Sequence, residues 1–143
     1  MTSGQKAAGR PESGATSARV EYRLVRNAVV RDVQRGRVGT VDVCDAHPEL
    51  LRAARNVGRP RGERCPICDD AETVDVTYVF GAGLPPGGSC PGTPAELNRL
   101  RRRAQPVLCY EVEVCPGCGF HHLARKYPAG AGTFSPRRLR PQA

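Results

Sequence analysis

The sequence predicts an α+β fold with its helices first and an antiparallel sheet after them, on three observations. Apolar residues recur every three or four positions between Ala18 and Gly58. They alternate every second position in Thr73–Phe80 and again in Val107–Val114. A Gly/Pro-rich loop and one capped helical stretch separate those two alternating runs. At 143 residues the chain makes one domain, or two very small ones. With 39% hydrophobic residues, 16 Gly, 13 Pro and no Trp, one ordinary core cannot fill that length. Part of the chain is therefore expected as tail or loop, and the folded part needs a staple.

Residues 1–17 carry almost no apolar mass and are expected to be a disordered tail. A first helix is expected from Ala18 to Arg35. Tyr22, Val25, Val29 and Val33 form its stripe, Val20, Leu24 and Ala28 widen it, and Ser17 and Gly36 suit its two ends. A second, short helix is expected from Thr40 through Val43 to Ala46. In a third, Pro48 fits the first turn, Leu50, Leu51, Ala54 and Val57 make the apolar face, and Gly58 closes it. Residues 18–60 thus read as a three-helix, helix-turn-helix-like unit. Arg59 to Arg64 (RPRGER) reads as a basic linker.

Residues 61–128 carry the sheet. Val74, Val76, Tyr78 and Phe80 alternate with Thr73, Asp75 and Thr77 as a half-buried strand, and Gly81–Gly92 is a loop. Thr93-Pro94-Ala95-Glu96 is a capping box that opens an inserted helix to about Ala104. A second strand follows over Val107–Val114, with Leu108, Tyr110, Val112 and Val114 on one face, and a third over Phe120–Tyr127. Residues 129–143, with Arg137, Arg138 and Arg140, are expected as a second disordered, basic tail.

The most specific motif is a pair of CxxC knuckles, Cys65-Pro-Ile-Cys68 and Cys115-Pro-Gly-Cys118. Two thiolates separated by two residues turn toward one point, and two such knuckles complete the tetrahedral four-sulfur shell that zinc prefers. The 46 intervening residues (69–114) read as strand, loop, helix and strand, which returns the second knuckle to the first. One structural Zn2+ held by Cys65, Cys68, Cys115 and Cys118 is therefore expected, in a zinc-ribbon-like sheet with one inserted helix. An iron–sulfur cluster would use the same ligands. A thioredoxin-like redox pair would need a helix starting at its first cysteine, whereas each pair here borders a strand. His121 and His122 are expected as strand residues rather than ligands. Cys44 is expected as a small buried helix residue and His47 as no ligand. Cys90 is expected as a loop thiol, and Cys109 as packing against the inserted helix or lying at the sheet's second surface.

The net charge of +8 is uneven: residues 20–64 carry +4 and residues 65–127 carry −1. Arg52, Arg55 and Arg59, spaced i, i+3 and i+7 opposite the apolar helix face, form a candidate phosphate-binding stripe that Arg61 and Arg64 extend. A solvated helix face explains the same spacing. Arg101-Arg102-Arg103 ends the inserted helix, where the helix dipole favours cations.

Taken in order, these motifs resemble a known family. They are Gly36-Arg37-Val38, the run Val43 to Arg55 (VCDAHPELLRAAR), the Cys65–Cys68 knuckle, Thr77 to Gly81 (TYVFG) and Glu111 to Leu123 (EVEVCPGCGFHHL). The order is similar to that of small actinobacterial proteins known only as a domain of unknown function, over roughly residues 18–130. The resemblance implies a cytosolic protein with a zinc-ribbon-like C-terminal part, and it implies no activity.

No apolar run reaches the roughly 18 residues of a membrane helix. The polar stretch Met1–Ala18 is not a secretory signal, so a cytoplasmic location is expected, where seven cysteines stay reduced. Ser89 and Ser135 sit in Gly/Pro loops without a nucleophile elbow, and no phosphate-cradling glycine motif precedes a helix. The expectation is a non-enzymatic zinc protein that serves as a nucleic-acid-binding or transcription-machinery accessory, with no small-molecule substrate. The alternatives are an adaptor for another cytosolic protein and a thiol redox protein or sensor.

Overall fold

The structure, a computed structural model that describes residues 19–131, sets three α-helices against one five-stranded antiparallel sheet. The elements run β1 (Val20–Glu21), α1 (Arg23–Gln34), a single 3-10 turn (Thr40–Asp42), α2 (Pro48–Val57), β2 (Arg59–Arg64), β3 (Glu72–Gly81), α3 (Pro94–Arg101), β4 (Val107–Val114) and β5 (His121–Ala129). The spatial order is β1-β5-β4-β3-β2, so β2 to β5 make a meander and β1 closes the far edge.

Where the local chemistry is strong, the elements fall as expected. Pro48 opens α2, the His47 ring accepts from the Glu49 N–H at 3.0 Å, and the helix ends at Val57. Thr93 Oγ1 caps α3 by accepting from Glu96 N–H, while Glu96 reaches back to the Gly92 N–H at 2.7 Å. Gly58 is extended (φ −67°), so its value lies in close approach. A Cβ there would run into the Ala54 carbonyl oxygen and sit 2.6 Å from Val74 Cγ2.

Three of the expected elements change, all through long-range pairing. Val20 and Glu21 leave the expected first helix to pair with Lys126 and Arg125, and the Tyr22 N–H donates to the Ala124 carbonyl. The expected second helix shrinks to one turn, because the chain beyond it is held elsewhere: the Ala46 N–H donates to the Gly119 carbonyl. The expected basic linker is strand β2, with Arg59 opposite Asp75 and Arg64 opposite Glu72. Its edge position tolerates Pro60, which has no N–H for a second ladder. The N-terminal segment is thus two helices and a turn rather than a three-helix unit.

The parity of the core residues separates the two faces of the sheet. Val74, Val76, Val112 and Val114 meet Leu50, Leu51 and Ala54 of α2. On the other face, Val79, Val107 and Cys109 meet Leu97 and Leu100 of α3. The half-buried strand expected for β3 is therefore covered on both faces along much of its length, with Val76, Thr77 and Val79 all buried.

The α3 face turns polar toward its other end. Arg26 of α1 donates from Nε and Nη2 to the two carboxylate oxygens of buried Glu113, at 2.9 and 2.8 Å. Glu111 takes Arg125 and the Tyr127 hydroxyl, and Arg61 donates to Asp75 at 2.8 Å. Each buried carboxylate is thus paired, as burial of charge requires. Leu24 and Val25, expected in the buried stripe of α1, are exposed. The helix turns Arg26 and Val30 inward instead, because the sheet offers it a carboxylate.

Past β5, the Gly130 N–H donates to Arg101 and the Ala131 N–H to Arg103, so the chain is still tied to the end of α3. The expected tail 1–17 and the run Arg137, Arg138 and Arg140 lie outside the described residues. Among the described residues no helix is long and apolar enough to cross a membrane.

Candidate metal centre

The β2–β3 and β4–β5 connections each carry one cysteine knuckle, and pairing of β3 with β4 brings the two together. The knuckles are built alike. Cys65 N–H donates to Ala71 and Asp69 N–H to the Cys65 carbonyl. At the second knuckle, Cys115 N–H donates to Phe120 and Gly119 N–H to the Cys115 carbonyl. Four residues after its first cysteine, each knuckle turns through a left-handed residue, Asp69 (φ 57°) in one and Gly119 (φ 91°) in the other.

Backbone amides point at the sulfurs. Cys65 Sγ accepts from the N–H groups of Ile67 (3.3 Å) and Cys68 (3.5 Å), and Cys68 Sγ accepts from Asp70 (3.4 Å). Cys115 Sγ accepts from Cys118 (3.3 Å), and Cys118 Sγ from Phe120 (3.4 Å). All four Sγ atoms lie within 4.8 Å of one another. Contacts across the knuckles are 3.8 Å for Cys65–Cys118 and 3.7 Å for Cys68–Cys115. A tetrahedron with metal–sulfur bonds of about 2.3 Å has sulfur–sulfur edges of about 3.8 Å, so the donor set fits one tetrahedral metal ion.

The profile of a family of unknown function (DUF5318) matches residues 15–143. This chain belongs to DUF5318. One uncharacterized protein of Mycobacterium bovis and two of Mycobacterium tuberculosis strains are each 38% identical to the DUF5318 chain over 112 residues. The match covers 78% of this chain and 82% of theirs. The resemblance read from the motifs is therefore confirmed. No solved structure matches.

Around the sulfur set, the DUF5318 chain packs Val30, Phe120, Val43, Ile67 and Ala71. Cys65 and Cys115 are buried, and Cys68 and Cys118 are half-buried. The Asp70 N–H draws the Cys68 thiol down to about 7, whereas burial pushes Cys65 and Cys118 up. A divalent cation among the sulfurs would favour the thiolate at every one of them.

The histidines are occupied elsewhere. His121 Nε2 meets Asp45 Oδ1 at 3.0 Å, His122 Nδ1 meets the Leu123 carbonyl, and His47 caps α2. Cys109 packs under α3, as expected. Cys90 is not an exposed loop thiol: Ser89 and Val79 exchange backbone hydrogen bonds, pinning the loop to β3, and half-buried Cys90 packs into the α2 cluster. The residue that sequence reasoning missed is Cys44, whose Sγ stands 3.3 Å from Cys118 Sγ. Nothing in its local sequence predicts that contact across 74 positions.

The five candidate arginines do not form one stripe. Arg59 lies on β2 rather than α2, and its Nη2 donates to Thr77 Oγ1 at 2.8 Å. Arg61 is bound to Asp75, and the ion pairs with Asp75 and Glu113 hold its charge against the opposing effect of burial. Arg64 donates to the Asp69 carbonyl at 2.6 Å, and Arg55 reaches the Pro116 carbonyl at 3.5 Å, so both brace knuckles. Arg52 pairs with Glu49, whose carboxyl it lowers by hydrogen bonding.

Proposed function

We propose that this DUF5318 chain is a non-enzymatic protein built on one structural zinc ion, held by Cys65, Cys68, Cys115 and Cys118 in a zinc-ribbon-like arrangement. The sulfur geometry carries this reading: four thiols from two like-built knuckles, with contacts of 3.7 and 3.8 Å that suit a closed tetrahedral shell. A closed shell leaves no open position for substrate, which supports a structural ion over a catalytic one. All seven cysteines are free, which suits a reducing, cytoplasmic setting. Metal analysis of the purified chain tests the reading, with close to one zinc per chain expected. Cys65→Ser and Cys115→Ser should each abolish it, and Cys109→Ser should leave it intact. Stoichiometric iron and sulfide, or full zinc in a Cys65→Ser, Cys115→Ser double variant, would reject it.

For the partner we propose nucleic acid, on a feature at a different place from the arginine stripe. Tyr78, Phe80, Tyr110 and Val112 line an open recess of 230 Å³ on the sheet. Phe80 and Tyr110 pack edge to face with centroids 5.3 Å apart, and Lys126 Nζ lies 6.0 Å from the Tyr110 ring centroid. Aromatic rings beside a cation on a net-basic chain suit stacked, single-stranded bases. Binding to a labelled oligonucleotide should weaken with salt and fall on Tyr110→Ala. No binding at low salt would move the adaptor reading ahead.

A further inference from the structure

We infer that Cys44 and Cys118 are a redox pair, in which a peroxide oxidises Cys118 and Cys44 closes a disulfide onto it. The consequence for the metal rests on the zinc reading above, as does the Cys118 thiolate that a bound cation favours; the contact between the two sulfurs does not. Cys44 Sγ is 3.3 Å from Cys118 Sγ, nearer than the 3.8 Å between Cys118 and its cluster neighbour Cys65. Yet Cys44 stands outside the set of four.

The approach is built into the backbone on both sides. Cys44 N–H donates to Thr40 at 2.8 Å, and Ala46 N–H donates to the Gly119 carbonyl at 3.1 Å. Gly119 lets the strands of chain close: a Cβ there would lie 3.1 Å from the Cys44 carbonyl oxygen. The sulfurs are also reachable. A recess of 380 Å³, lined by Thr40, Val41, Cys44, Ile67, Cys68 and Cys118, opens onto them and admits a small peroxide. Cys115, the other sulfur of the same knuckle, is fully buried and lies against Cys68.

The chemistry balances with hydrogen peroxide as the oxidant. Cys118 Sγ attacks one peroxide oxygen, the S–O bond forms as the O–O bond breaks, and the departing hydroxide takes a proton as water. Cys44 Sγ then attacks Cys118 Sγ. The S–S bond forms, the S–O bond breaks, and hydroxide leaves as water with the Cys44 proton. Two thiols lose two electrons, and one peroxide becomes two waters. The disulfide would bring the two sulfurs from 3.3 Å to about 2.05 Å. Cys118 would then no longer serve as a fourth ligand, leaving Cys65, Cys68 and Cys115 to hold a bound ion.

The test adds hydrogen peroxide to the zinc-loaded full chain, with a chromogenic chelator reporting free zinc and peptide mapping locating the disulfide. Wild type should release zinc as the Cys44–Cys118 disulfide forms, and dithiothreitol with added zinc should reverse both. Cys44→Ser should release zinc about tenfold more slowly, since the resolving thiol is no longer in place. Cys44→Ala reads the same effect should the serine variant fold poorly. Release at the wild-type rate from both variants would overturn the pair, as would a disulfide mapped to Cys65–Cys68 or Cys115–Cys118. A chain purified without zinc rejects the metal reading alone, and a Cys44–Cys118 disulfide mapped in that chain supports the pair.

Discussion

Arg26→Met removes the donor on which the Glu113 carboxylate depends. The Glu113 side chain is 2% exposed and that of Arg26 is 19% exposed, so solvent screens this pair little. The guanidinium makes two charge-assisted hydrogen bonds, at 2.9 and 2.8 Å, one to each carboxylate oxygen. Methionine keeps much of the apolar stem but leaves Arg61 Nε, 3.8 Å from Glu113 Oε2, as a remaining cation. Removing one member of a buried pair costs about 3–5 kcal/mol, and Arg61 moves the expectation to the lower end, about 3 kcal/mol. In a domain of this size that lowers the melting temperature by about 12 °C. The assay is urea unfolding followed by circular dichroism at saturating zinc, where the midpoint should fall by about 1.5 M. The double variant Arg26→Met, Glu113→Leu should recover most of the loss, because an apolar pair leaves no uncompensated charge. A single-variant loss below about 1 kcal/mol would refute the reasoning, since a pair that weak behaves as though it were solvated.

Gly58→Ala should destabilise by about 1–3 kcal/mol in the same assay, because its Cβ meets the Ala54 backbone oxygen and neither α2 nor β3 can yield freely. Burial raises the Tyr127 hydroxyl to about 12, so its share of stability is whole below pH 10 and disappears as pH climbs toward 12. Absorbance titration at alkaline pH should show that late step, and Tyr127→Phe should remove it. Among thiols outside the sulfur set, Cys109 is fully buried and should resist alkylation until the chain unfolds. Cys90 is half-buried with its thiol raised by burial, so it should label sooner than Cys109, with a rate that keeps climbing past pH 9. Equal labelling of the two in the folded chain would count against the packing of the 81–92 loop.

What the sequence by itself determined is local in range. Helix α2 is legible because Pro48, the apolar spacing from Leu50 to Val57 and Gly58 act within ten residues. Strand β4 is legible because alternation is a property of adjacent positions. The four clustered cysteines are legible because a CxxC knuckle forms from its own amides, and only the meeting of the two knuckles needs the sheet. Tertiary structure decided the rest. Arg59–Arg64 looks like a linker because an edge strand rich in Arg, Gly and Pro carries no hydrophobic alternation. Its partner, β3, makes it a strand through backbone bonds that any side chains allow. Arg26 and Val30 face inward, against the apolar stripe, because a carboxylate 87 positions away awaits the guanidinium. Cys44 reaches Cys118 only because the segment between the 3-10 turn and α2 is bonded to the second knuckle, Ala46 N–H to the Gly119 carbonyl. Contacts of that range depend on where two distant backbones come to rest, and the periodicity of neither segment records it.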